Sequence, residues 1–216
     1  MKLTSLPIVL RAFKRFPLAR VLFVAIRSLV VPWECVVMEV RHSGTVIDIG
    51  CGDGVFLALL KVKHPELRAV GIEHDDRKIA TARKCHQIPI EFYSWADLAN
   101  VRLPAADYVT LTDVLYAVAL KDWDGIFRFA HEHLKPGGTF IIKDTIDRPR
   151  WKTWLTLVEE IVATRILRYT KGGPPHLHAP GIFLDSLERN GFECLHHRRL
   201  DRGYLWPHYL FVARKN

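Results

Sequence analysis

The chain has 216 residues, 49% of them apolar and 25% charged, enough to bury a full core in one domain and unlike a disordered or fibrous chain. Its four cysteines, Cys35, Cys51, Cys85 and Cys194, lie far apart with no C-x-x-C pair, so reduced thiols of a cytoplasmic protein are expected rather than a disulfide framework or a zinc site. The net charge of +8 divides as +5, −2 and +5 over residues 1–43, 44–144 and 145–216, which suits basic flanks facing an anionic surface or substrate and not a continuous nucleic-acid stripe.

In residues 1–43, Pro7, Pro17 and Pro32 predict two helices, about 8–16 and 18–31. Arg11, Lys14 and Arg15 share one face of the first. The second holds an apolar run at 21–26 between Arg20 and Arg27, too short for the roughly 20 residues that cross a bilayer. No small-x-small site follows it, so a signal peptide is not expected. Two roles fit: a helical cap packed over a ligand cleft, or a basic amphipathic anchor on a membrane surface. They can coexist.

The next stretch, from Val46 to Phe56, organises the chain. A β-branched run ends in glycines at alternate positions, Gly50, Gly52 and Gly54, and Phe56, Leu57, Leu59 and Leu60 then start a helix. Glycine lets the backbone turn sharply and lets a ligand approach without meeting a Cβ. A dinucleotide site reads G-x-G-x-x-G; here Val55 fills the third glycine's place, and Asp48 stands inside the strand end. A second strand, 68–73, ends in Glu73, 19 residues beyond Gly54, the distance that one intervening helix requires. A helix over 77–85 and a third strand over 90–93 follow, then a turn carrying Asp97. A fourth strand begins at Asp107 and runs into the polar turn at Thr112, Asp113 and Tyr116. A helix over 121–134 stops at Pro136, Gly137 and Gly138, and a fifth strand spans 139–144. Five β–α steps in succession predict a parallel sheet with helices on both faces.

Two stretches carry a resemblance. Asp48 to Gly54 reads D-x-G-x-G-x-G, and 134–142 reads L-K-P-G-G-T-F-I-I. Together they resemble the class I S-adenosyl-L-methionine (SAM)-dependent methyltransferases over about half of the chain. The resemblance implies a doubly wound, mostly parallel seven-stranded α/β sheet with an antiparallel last strand. It also implies one domain: an N-terminal helical cap (1–43), a SAM-binding core (44–144), a helical lid (145–180) and a C-terminal helix with two strands (181–216). The lid would hold a helix over 151–169 with Trp151, Trp154, Leu155, Leu157 and Val158. The C-terminal part would hold a helix over 182–189 and strands over 192–200 and 205–213.

For the cofactor, the resemblance implies Asp48, Gly50, Cys51, Gly52, Gly54, Glu73, His74, Ala96, Asp97 and Thr112. Glu73 would take the ribose hydroxyls. Asp97 would meet the exocyclic amine of adenine, with an N-cap as its other use. Methyl transfer needs in-line alignment and exclusion of water, and a hydroxyl acceptor also needs a base. Tyr116, Lys143, Asp144, His176 and His178 are the candidates, although Asp144 could instead be the N-terminal cap of the next helix. His176 and His178 have no third partner at metal-ligand spacing, and His196 and His197 would point to opposite faces of a strand. No metal site is expected. The expected reaction is SAM-dependent methylation, oxygen before nitrogen or carbon, of a small hydrophobic or lipid-like acceptor. Nucleic acid is not expected, because Thr112-Asp113-Val114-Leu115 stands where a base methyltransferase carries N/D-P-P-Y/F. An NAD-dependent oxidoreductase and a non-catalytic SAM-binding module are the rival readings, and a cytoplasmic location with contact to an anionic membrane face is the expected setting.

Overall fold

A computed structural model describes residues 6–41, 43–85, 87–147 and 176–216. Seven strands, β1 (Thr45–Ile49), β2 (Arg68–Glu73), β3 (Ile90–Ser94), β4 (Ala106–Thr112), β5 (Leu134–Thr145), β6 (Phe192–Arg199) and β7 (His208–Lys215), form one sheet in the order β3-β2-β1-β4-β5-β7-β6. The pairs from β3 through β5 are parallel. β7 alone runs against its neighbours β5 and β6, the single reversed strand expected.

The helices are α1 (Leu6–Ala12), α2 (Leu18–Val30), α3 (Trp33–Val37), α4 (Val55–Lys63), α5 (Asp76–Cys85), α6 (Trp123–His133) and α7 (Pro180–Arg189). Alternation along the strands divides the apolar residues between two cores. Val46, Ala69, Tyr108 and Ile141 pack with α4, α5 and the N-terminal helices. Ile47, Ile49, Val109, Leu111, Phe140 and Ile142 pack with Trp123 and Phe127 of α6 and Phe183 and Leu187 of α7.

Helix α4 buries five consecutive residues, Phe56 to Leu60. A helix apolar all round must be covered on every side, and the N-terminal segment supplies the cover with Phe13 and Val36, both 0% exposed. Residues 1–43 are therefore built into the core through their described part.

Several boundaries differ from those expected. α1 ends at Ala12, and residues 13–16 form a turn in which the Phe16 N–H donates to the Phe13 carbonyl at 2.9 Å. The short helix α3 begins after Pro32 and was not foreseen. Lys135 to Gly138 lies within β5 as a bulge: Ala106 pairs Leu134, and the next pair is Tyr108 with Thr139. Gly137, at φ +72°, permits that excursion. The helix expected over 151–169 and its apolar residues, from Trp151 to Val158, lie outside the described residues.

Because β1 lies between β2 and β4, the direction of sheet growth reverses there. A crevice opens at such a point beyond the carboxyl ends of the strands.

Candidate active site

The glycine turn fills one side of that crevice. Gly50, Gly52 and Gly54 all have positive φ (+74°, +58° and +79°). The Gly50 and Cys51 N–H groups donate to the Ile72 carbonyl of β2 at 2.8 and 3.0 Å, pinning the turn to the neighbouring strand. The glycines do different work. A Cβ on Gly50 would come within 2.5 Å of the Val114 side chain, whereas one on Gly52 would meet nothing within 4 Å. Gly50 therefore serves packing, and Gly52 faces open space.

Glu73, at the end of β2, is held rigidly. Its Oε2 accepts from the Gly52 N–H at 2.8 Å, and Oε1 from the His74 and Asp75 N–H groups at 2.9 and 3.0 Å. A carboxylate offers about four lone-pair positions, so the spare capacity lies on Oε2. Asp48 sits behind the turn at 0% exposure, its Oδ1 accepting from the Thr110 hydroxyl at 2.6 Å. Burial pushes its pKa up to about 7, against the Thr110 hydrogen bond and with help from Glu73. Its Oδ2 is buried without a hydrogen-bond partner among the described residues. The Cys51 thiol is raised well above its ordinary value by burial and then by Asp48, Glu73 and Asp53, so it remains a protonated thiol and no nucleophile.

A cavity of about 690 Å³ opens from this turn, a volume suited to a small ligand. Gly50, Cys51, Gly52 and Asp53 form one wall, Glu73 to Lys78 the second, and Thr112 to Val114 with Tyr116 to Val118 the third. Phe23, Val24, Arg27 and Trp33 of the N-terminal segment close it. Two ion pairs fasten that closing element. Arg20 Nε lies 2.9 Å from Asp53 in the glycine turn, and an Arg27 guanidinium nitrogen lies 3.0 Å from Asp113 beyond β4.

Of the residues expected to hold the cofactor, Gly50, Cys51, Gly52, Glu73, His74 and Thr112 line the cavity, while Asp48 and Gly54 are buried and outside the lining. Ala96 and Asp97 do not line it. Asp97 is the third residue of a 3-10 turn capped by Ser94, and it accepts from the Ser94 N–H at 3.2 Å and from Arg83 at 2.9 Å. Those bonds, Arg83 first, lower its pKa.

Among the expected catalytic residues only Tyr116 lines the cavity. Asp144 is wholly buried; Oδ2 accepts from the Val114 and Leu115 N–H groups at 3.1 and 2.7 Å, and Oδ1 from the Thr145 N–H at 2.7 Å. It caps the turn after β4, and burial, then Asp113, push its pKa up to about 7. Lys143 is also buried, in an ion pair with Asp113. The His176 N–H donates to the Tyr116 carbonyl at 2.6 Å, and its ring is exposed away from the cavity lining. His178 lies edge-on to Trp123 at 5.2 Å, with burial lowering its pKa. Asp144, His176 and His178, the bases expected from the sequence, therefore stand outside the cavity lining, whereas Tyr116 stands in it. Among the described residues no three His, Cys, Asp or Glu side chains are grouped to hold a metal ion.

Sequence reasoning noted Arg20 and Arg27 only as flanks of an apolar run. Their spacing of seven residues, two helical turns on one face, is the signal that both point the same way. It does not say toward what.

This sheet order, glycine turn and strand-end acid define a class I SAM-dependent methyltransferase fold. Human N-acetylserotonin methyltransferase, solved in complex with SAM, superposes with a TM-score of 0.69 at 18% identity, over 96% of this chain and 58% of that one. The chain belongs to the methyltransferase domain family, whose model matches residues 36–197. It is similar to trans-aconitate 2-methyltransferase of Acidovorax sp. (strain JS42), 29% identical over 115 residues, which is 50% of this chain and 41% of that protein. The enzyme of the same name from Afipia carboxidovorans is 25% identical over 167 residues, 72% of this chain and 62% of that protein. The chain thus spans less than two thirds of the length of these relatives.

Proposed function

We propose that this chain methylates the oxygen of a small, largely hydrophobic acceptor. SAM supplies a methyl group on a sulfonium, whose thioether is already a good leaving group. The observation that carries the reading is the Gly50–Gly52 turn, bonded to Ile72 and Glu73 and open to the cavity at Gly52. The residues fit that cofactor: the turn leaves room where a Cβ would stand, the Glu73 carboxylate is pre-oriented for a ribose hydroxyl, and Asp48 keeps an unpartnered buried oxygen behind the turn. Gly50, Gly52, Glu73 and Thr112 would hold it, with Asp48 supporting the turn from behind.

The hydrophobic acceptor is supported by the wall opposite. Phe23, Val24, Trp33, Val114, Ala117 and Val118 line it. Arg27, the one cation of that wall among the described residues, is ion-paired with Asp113, while Arg77 and Lys78 stand on the cofactor side. A polycarboxylate such as trans-aconitate calls for free cations on the acceptor wall itself. Tyr116 offers a hydroxyl to orient the acceptor; beyond that, the chain contributes alignment and the exclusion of water by the N-terminal helices.

Two measurements test the proposal. Methyl-labelled SAM incubated with the protein and cell extract should place label in the organic phase; label confined to water-soluble carboxylates would overturn the hydrophobic acceptor. Glu73→Ala should weaken SAM binding by on the order of 1.5–3 kcal/mol, the worth of a charge-assisted hydrogen bond. Calorimetry showing unaltered affinity in a folded variant would remove Glu73 from the ribose site.

A further inference from the structure

Helix α2 has two unlike faces. Leu18, Leu22, Ile26 and Leu29 follow at steps of four, four and three residues, which stacks them on one side, and they are 83%, 60%, 53% and 37% exposed. Positions two residues to either side lie about 200° round the helix. There Val24 is 1% exposed, and Arg20 and Arg27 reach Asp53 and Asp113. The inner face is thus fastened to the cofactor cleft while the outer face carries a continuous aliphatic stripe in water, a feature that marks an interaction site.

The charge beside the stripe names the partner. Arg11, Lys14 and Arg15 precede it and are all exposed. Arg15 lies at hydrogen-bond distance from the neutral side chain of Gln87, and among the described residues none of the three forms an ion pair. An aliphatic stripe flanked by uncompensated cations matches the two layers of an anionic bilayer surface, acyl boundary and phosphate. A second copy of the chain matches less well, because pairing the stripes would bring two such cationic segments together. No described helix is long and apolar enough to cross a membrane, so α2 would lie in the surface plane.

We propose that the outer face of α2 docks on an anionic phospholipid surface, with the cofactor cleft directly beneath the same helix. This deepens the reading of a hydrophobic acceptor, on which its purpose rests, by naming where that acceptor is collected. The docking itself is measurable without turnover.

The test is flotation of the full chain with vesicles of phosphatidylcholine, with and without phosphatidylglycerol, at low and high salt. The protein should float with the anionic vesicles at low salt and be released by salt, since screening weakens the cationic contribution. Leu22→Ser with Ile26→Ser should lower partitioning about tenfold or more, and Arg11→Gln with Lys14→Gln should remove its dependence on salt. SAM affinity, measured by calorimetry, should be unchanged in both variants, because none of these residues lines the cavity. Failure to float with anionic vesicles at low salt, or flotation indifferent to the leucine and isoleucine changes, would overturn the proposal. So would light scattering that shows a dimer converted to monomer by those changes, which would give the face to a second copy. Flotation with no methyl transfer to any lipophilic acceptor would leave the docking standing and sink the function reading alone.

Discussion

Asp113 is the one described non-glycine residue at positive φ, +57°, a conformation that Asp and Asn tolerate better than other side chains. The turn there aims its carboxylate between Arg27, at 3.0 Å, and the buried Lys143. Burial alone would raise its pKa, but Lys143, Arg27 and His208 hold it at about 2, so it is anionic at any pH where the protein works. Lys143 is lowered by burial and supported by Asp113. Asp113→Asn keeps a residue suited to the backbone and removes the charge between the two cations. The expected cost is roughly 3–5 kcal/mol, that of breaking one side of a buried pair, read as a fall in the urea midpoint. A loss under about 1 kcal/mol would mean that Lys143 is not held as a cation by this contact.

At the scale of elements, α2 matters most, because it closes the site and is fastened by side chains rather than by a sheet. Asp53 is raised by burial and drawn down by Arg20. Arg20→Ala would leave that carboxyl, on a side chain only 5% exposed, without its guanidinium. On the order of 1–3 kcal/mol should be lost, and locally: amide exchange should quicken in α2 more than in β1 and β4. Uniform acceleration across the sheet would mean instead that the pair supports the whole domain. The helix itself was legible in the chain, since Pro17 and Pro32 bound it and its apolar residues recur with helical period. Which face turned inward was not, because an amphipathic pattern with arginines on one side and leucines on the other fits a cleft or a membrane equally well.

For the whole molecule, acid sensitivity follows from groups that join distant parts. His208 of β7 is buried, with Nε2 at 3.1 Å from the Val30 carbonyl at the end of α2, and burial depresses its pKa to about 3. The unfolded chain therefore takes up this proton first, and the associated stability is lost as pH falls from about 6.5 toward 3, at up to about 1.4 kcal/mol per pH unit. Asp113 adds a loss from about 4 toward 2. Asp48 and Asp144, both raised to about 7, act oppositely: the folded state binds their protons first, so stability is gained as pH falls from about 7 toward 4. Comparison with His208→Gln isolates the first effect. The difference in Tm, variant minus parent, should rise between neutral pH and pH near 4; a constant difference would mean that His208 does not titrate in that window.

The sequence by itself determined the strand, glycine turn and strand-end acid at Val46 to Gly54 and at Glu73, as well as the parallel sheet; the reversed last strand followed only from the family resemblance. The turn, the acid and the parallel sheet are written in local chemistry: alternate or continuous apolar runs, a turn only glycine can make, and spacings set by one intervening helix. The tertiary structure alone decided where the acids point. Asp144 and Asp97 read as plausibly as Glu73 along the chain, yet Asp144 turns inward to cap Leu115, 29 residues away, and Asp97 turns to Arg83. It likewise decided the closing of the cleft, where Arg27 meets Asp113 across 86 residues of sequence. Periodicity assigns an element a face but not a neighbour, and a buried carboxylate goes to whichever donors the folded chain brings within reach.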